Sequence, residues 1–179
     1  MVNFGIVYGV TAFGLARRLK VPQDQAASII DGYKRKFAGI TTFLQECVEQ
    51  ARRHGYVSTI LGRRRPITDI QSTNPSRRAL AERLAINSVV QGSAADLIKV
   101  AMVDLFRRFR AGEGPFPPGA VRLLLQIHDE LVFESPEQLA EAARGLVKDR
   151  MERAMTLRVP LRADASLAEP QEAPIRSGD

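Results

Sequence analysis

Between Ser76 and Arg110 the sequence consists of helix-forming residues almost without interruption, and no other feature restricts the fold as much. Leu80, Leu84, Ile86, Val90, Leu97, Ala101 and Leu105 provide apolar positions along it, Ser76 is a candidate cap, and Gly92 is the interior residue that favours a bend. The stretch therefore reads as one bent helix or as two helices in succession. What precedes it is made of shorter pieces. After Val21-Pro22, the spacing of Ala26, Ile29, Ile30, Tyr33 and Phe37 predicts a helix over 23–37 that ends near Gly39. Residues 40–53 repeat the pattern through Phe43, Leu44, Cys47, Val48 and Ala51 and stop at His54-Gly55, so the two helices should pack as neighbours. Residues 56–61 are β-branched and aromatic, and with Gly62 and Arg63-Arg64-Arg65-Pro66 they predict a short hairpin with a basic tip. The polar stretch 67–75 is the expected connection between lobes.

Downstream, residues 112–119 form a Gly- and Pro-rich loop. Two apolar runs, 120–127 and 131–134, then flank His128-Asp129-Glu130, the pattern of a buried antiparallel hairpin with its charges at the turn. Ser135-Pro136-Glu137 opens a last helix whose Leu139, Ala143, Leu146, Val147, Met151 and Ala154 share one face. Residues 166–179 are expected to be a disordered tail. The fold class is α+β.

Composition narrows the function. A chain of 179 residues suits one domain, or two lobes sharing a core, and 45% apolar content is that of a globular protein. No apolar run approaches the ~18 residues of a membrane span, and the first residues lack the pattern of an export signal, so a cytoplasmic location is expected. Cys47, the single cysteine, excludes an internal disulfide and a Cys-rich metal site and reads as a buried thiol. A net charge of +6 fits a polyanionic partner or a solvated basic surface, and charge alone does not separate them.

Asp129 and Glu130 carry the most pointed chemistry. Carboxylates among buried strands are costly unless paired or bound to a cation, and magnesium takes one or two such oxygens together with substrate phosphates. A solvated turn is the competing reading. A His-Asp phosphohydrolase site would need more histidines than His128 and His54.

The string from Leu125 to Glu134, LQIHDELVFE, resembles the C motif of family A DNA polymerases. Asn3-Phe4-Gly5-Ile6-Val7-Tyr8-Gly9 looks like the end of that family's B motif, and the run from Arg83 to Asp96, RLAINSVVQGSAAD, is similar to its long palm helix. With Gly55-Tyr56 and Leu61-Gly62-Arg63-Arg64-Arg65, the matches stand in the family's order and cover residues 3–160. The resemblance implies a helical fingers subdomain over 1–73 and a partial palm over 74–165, with an antiparallel hairpin and long helices. It implies DNA-directed DNA polymerase activity, a two-metal nucleotidyl transfer of DNA replication and repair that uses Mg²⁺, primer-template DNA and deoxynucleoside triphosphates. By position, Phe4, Tyr8 and Gly9 would lie at the incoming nucleotide. Asp129 would be the metal ligand, with Glu130 a secondary carboxylate and His128 a positioning group near the primer end.

Arg83, Asn87 and Gln91 fall four apart on one helix face. Alone they would read as a solvated stripe; the resemblance places them on the primer-template, where amide side chains meet the minor-groove acceptors common to every correct pair. Arg63, Arg64 and Arg65 read as a phosphate contact or as an exposed basic turn. The family's B motif begins with an arginine and a lysine upstream of Phe4, and its other metal-binding aspartate also lies upstream, so the isolated chain is expected not to polymerise without an upstream fragment. A non-catalytic DNA-binding remnant is the alternative.

Overall fold

The computed structural model describes Gly5, Ile6 and residues 9–168. Phe4, Tyr8 and residues 169–179 lie outside the described residues, and with them most of the expected tail. The elements follow as α1 (Ala12–Leu19), α2 (Gln23–Lys36), α3 (Ala38–His54), β1 (Tyr56–Ser58), β2 (Arg64–Pro66), α4 (Pro75–Ala111), β3 (Arg122–Ile127), β4 (Glu130–Glu134) and α5 (Glu137–Glu152). Helices and two separate antiparallel strand pairs make this an α+β protein. Among the described residues no helix is long and apolar enough to cross a membrane. The chain divides into two compact units, Met1–Asp96 and Leu97–Asp179, so the division falls within α4.

α4 runs through Gly92 as one helix of 37 residues, not two. The glycine serves a close approach: a Cβ there would lie 2.6 Å from the Thr59 methyl. The helix starts two residues earlier than Ser76 would allow as its cap. Asn74 Oδ1 accepts from the N–H groups of Ser76 (2.9 Å) and Arg77 (3.3 Å), with Pro75 in the first helical position, where a missing N–H costs nothing.

In the first unit, Thr11 Oγ1 caps α1 by accepting from Gly14 N–H at 3.1 Å. The break between α2 and α3 comes at Phe37 (φ −118°, ψ 56°), not at Gly39, which is inside the first turn of α3. Phe37 donates its N–H to Tyr33 O and sets its ring 4.8 Å from the Tyr33 ring, closing α2 with a side-chain contact. Gly55 ends α3 at φ 75°, donating to Ala51 O at 2.8 Å, a backbone conformation that a side chain would strain. Ile6, Leu15, Ala16, Ala26 and Ile30 form one apolar cluster. A second joins Ala51, Val57, Ile67, Ile70, Ala81 and Ala85. The polar stretch 67–75 is therefore not a bare connection, because Ile67 and Ile70, three apart, turn into this core and hold the loop down. Cys47 is buried, and burial pushes its thiol above the ordinary range, the mark of an inert structural cysteine.

The second unit packs Leu105, Phe109, Phe116 and Val121 against Ala143 and Val147 of α5. Phe109 makes edge contacts with Phe116 (5.1 Å) and Phe133 (5.9 Å), which fixes the loop 112–119 and β4 on the same side chain. Asp104 lies between Arg108 (3.1 Å) and Arg150 (2.6 Å), which link α4 to α5. β3 and β4 pair from Arg122↔Glu134 to Ile127↔Glu130, and a bulge at Leu124 shifts the register. Leu131 and Phe133 face the core, whereas Leu124, Leu125, Ile127 and Val132 are exposed. The hairpin is thus buried on one face only, contrary to the sequence pattern, because α4 and α5 supply cover for a single face of a two-stranded ribbon. α5 stops at Glu152, short of Ala154, and the Glu152 carboxylate accepts from Ala163 N–H at 3.1 Å, tethering the irregular segment that follows.

Candidate nucleic-acid interface

The tip of the second hairpin is a two-residue turn, His128-Asp129, closed by the Ile127↔Glu130 pair. His128 adopts φ 54°, and the Gln126 side-chain amide donates to its carbonyl oxygen. A non-glycine residue in this region costs about 1 kcal/mol, a small strain of the sort that clusters at working sites. His128, Asp129 and Glu130 are all exposed. The expected cost of burying carboxylates between strands therefore does not arise, since the tip projects beyond the covered part of the ribbon and water solvates it. Asp129 and Glu130 make no ion pair among the described residues, whereas Glu134, four residues further on, takes Arg122 at 2.5 Å. Two adjacent hard oxygen donors in water fit one side of a divalent-ion shell that keeps several waters and takes one or two carboxylates. Among the described residues no three His, Cys, Asp or Glu side chains converge. The turn thus presents two exposed carboxylates to solvent.

In the first unit, Arg83, Asn87 and Gln91 are exposed along one face of α4. The Arg83 stem runs beside Gly9, which has φ 78°; a Cβ on Gly9 would sit 3.7 Å from Arg83 Cγ. The structure thus brings together two of the residues singled out from sequence, the glycine that ends the B-like motif and the first member of the stripe.

The three consecutive arginines do not act as one patch. Arg64 and Arg65 lie on the second strand, and only Arg63 belongs to the tip, which is formed by residues 59–63 with Thr59 N–H donating to Arg63 O at 2.9 Å. Arg63 reaches α4: its Nη2 donates to Gly92 O (3.0 Å) and pairs with Asp96 Oδ1 (2.7 Å). Arg64 stacks its guanidinium 4.8 Å from the Tyr56 ring centre. Arg65 is exposed, and its side chain makes no ion pair among the described residues. Alternation along an extended strand sends neighbouring side chains to opposite faces, which a run of identical letters conceals.

Sequence reasoning missed the partner of Arg63. Asp96 is 5% exposed, and its Oδ2 is buried with no hydrogen-bond partner among the described residues. The Thr59 hydroxyl beside it, with Arg63 and the Leu61 N–H, holds its carboxyl below the ordinary range against the burial that would raise it. The signal was present as a lone carboxylate among Ala94, Ala95, Leu97 and Ile98, four residues after a helix-interior glycine.

With this geometry in view, the model for DNA polymerase family A matches residues 1–172. DNA polymerase I of Geobacillus stearothermophilus is 47% identical over 163 residues, 91% of this chain and 18% of that protein. The thermostable DNA polymerase I of Thermus aquaticus is 42% identical over 168 residues, 94% of this chain and 19% of the relative. Among solved structures, the POL domain of Pol1 from M. smegmatis, in complex with DNA primer-template and dNTP, superposes with a TM-score of 0.82 at 40% identity, over 90% of this chain and 28% of that one. The chain spans about a fifth of the length of these curated relatives.

Proposed function

The chain belongs to DNA polymerase family A, and on that premise we propose that it supplies part of the site for template-directed nucleotidyl transfer to a DNA primer. The observation that carries this reading is the exposed His128-Asp129 turn with Glu130 behind it, held by a paired hairpin and with no ion pair for its carboxylates among the described residues. Asp129 would hold Mg²⁺, with Glu130 as a nearby second carboxylate; when bound, the ion would neutralise charge on the transferring phosphoryl group. His128 would position the primer end. Arg83, Asn87 and Gln91 would follow the primer-template, with the two amides at the minor groove, and Arg65 would meet a phosphate. Phe4, Tyr8 and Gly9 would border the incoming nucleotide. In family terms, residues 1–73 would serve as fingers and 74–165 as palm, acting on DNA in the cytoplasm.

By itself the 179-residue chain should not extend a primer. In-line phosphoryl transfer between two metal ions needs carboxylates converging from more than one segment, and a single hairpin turn provides only adjacent ones. The exposed leucines and isoleucine of the second hairpin would take cover from an upstream polymerase fragment, and a chain that folds cooperatively as a monomer on its own would overturn that part of the reading. The test is primer extension on a recessed primer-template with Mg²⁺ and four deoxynucleotides, with the chain alone and mixed with an upstream fragment. Extension in the mixture alone, lost on Asp129→Ala, supports the reading. Extension by the chain alone refutes its incompetence, and none in either leaves a DNA-binding remnant.

A further inference from the structure

We propose that Arg63 is a positioning residue that latches the first hairpin onto α4 directly after Gln91, fixing the nucleic-acid-facing stripe without itself touching a phosphate. The inference rests on the reading of Arg83, Asn87 and Gln91 given under Proposed function. Several contacts from the tip converge on one turn of the helix. Arg63 bridges Gly92 O and Asp96 Oδ1, Ile60 N–H donates to Ser93 Oγ at 2.9 Å, and the Thr59 methyl occupies the space that only a glycine at position 92 leaves open. The tip is also closed on itself. Arg63 N–H donates to Thr59 Oγ1 at 3.1 Å and Gly62 N–H to Thr59 O at 2.8 Å, so the guanidinium starts from a fixed base.

Asp96 gives the latch its selectivity. A carboxylate this buried finds no replacement for Arg63 in bulk water, and one nitrogen, Nη2, meets the Gly92 carbonyl and the Asp96 carboxylate from the end of a rigid planar group, where a lysine would bring a point charge on a flexible stem. Because Gln91 precedes Gly92 in the same turn, loosening the latch loosens the amide that would read the base pair. The charge of Arg63 is already matched by Asp96, which leaves Arg65 to attract phosphate.

The two roles differ in salt dependence. Each phosphate contact adds a slope of roughly −0.9 to the plot of log affinity against log salt. The experiment titrates a fluorescent primer-template with the full chain and its Arg63→Ala, Arg63→Lys, Asp96→Ala and Arg65→Ala variants over a range of salt, using matched and mismatched primer ends, and follows amide hydrogen exchange of residues 87–98. Arg63→Ala and Asp96→Ala should each weaken matched binding by about 10-fold, within the range of a base-pair contact. Both should lose preference for the matched end, keep the wild-type salt slope, and speed exchange at residues 91–96 alone. Arg63→Lys should recover only part of the preference, and Arg65→Ala should make the slope shallower by about one contact with the preference kept. A shallower slope for Arg63→Ala with unchanged exchange would overturn the proposal in favour of a phosphate contact. Uniformly faster exchange, with the preference for matched ends retained, would overturn it in favour of a general packing role. Failure of the wild-type chain to bind would overturn the reading of the stripe, a result distinct from a failed latch, which the exchange data show by themselves.

Discussion

The two hairpins are close in size and each carries charge near its turn, but they treat that charge in opposite ways. In the first, the tip folds against α4: Arg63 meets Asp96 and Gly92 O, Ile60 meets Ser93, and Thr59 fits against the one position without a side chain. In the second, His128, Asp129 and Glu130 stand in solvent, with positive φ at the histidine and no ion pair for the two carboxylates among the described residues. Charge that finds its counterpart inside the fold stabilises the fold. Charge that is held rigidly and left without one is available to a ligand, at little cost as long as water covers it. By this criterion the second tip, in one unit, and the exposed face of α4, in the other, are each open to a ligand, whereas the charge of the first tip is spent inside its own unit.

The sharpest way to break the contrast is Asp129→Ala. In a mixture that restores primer extension it should lower the rate by about a hundred- to a thousand-fold, the scale of losing a preorganised charge-stabilising group, while the thermal midpoint of the chain stays unchanged because the residue is exposed. A clear fall in midpoint would mean that the tip is structural after all. Gly92→Val tests the other hairpin. With Thr59 already 2.6 Å from an added Cβ, it should cost about 1–3 kcal/mol by overpacking, seen in chemical denaturation; Gly145→Ala in α5, where nothing lies within 4 Å, should by contrast stabilise by about 0.5–1 kcal/mol.

Acid sharpens the comparison further. The Asp96 carboxyl is held below its unfolded value, so its contribution is complete above the ordinary aspartate range near pH 4 and is lost as pH falls through the folded value. Asp104, which Arg150 and Arg108 hold low in spite of burial, contributes with the same sign in the second unit. Denaturation followed from pH 6 downward should therefore show a shallower acid loss in Asp96→Ala than in wild type. The smallest effect is expected at Arg122, whose pairing with Glu134 is exposed on both sides: Arg122→Ala should change stability by no more than about 0.5 kcal/mol, and less in high salt.

The sequence by itself determined the elements and their order, because those depend on local chemistry. The helical spacing of Ala26, Ile30 and Tyr33, the glycine that ends α3, and the paired apolar runs around His128-Asp129-Glu130 each act within a few residues. It also determined which residues were worth suspecting, and the spacing of Arg83, Asn87 and Gln91 puts them on one face of α4. Only the tertiary structure decided what each charge does. Arg63 and Arg65 are the same residue type two positions apart, yet one is bound to a helix 33 residues downstream and the other faces water. Gly92 looked like a bend and proved to be a contact, and the polar loop over 67–75 proved to be anchored by two isoleucines. The hairpin that read as fully buried is covered on one face. These outcomes turn on which distant segment arrives beside a residue, and hydrophobic period and propensity carry no information about that, because they are sums over neighbours in sequence while burial and pairing are sums over neighbours in space.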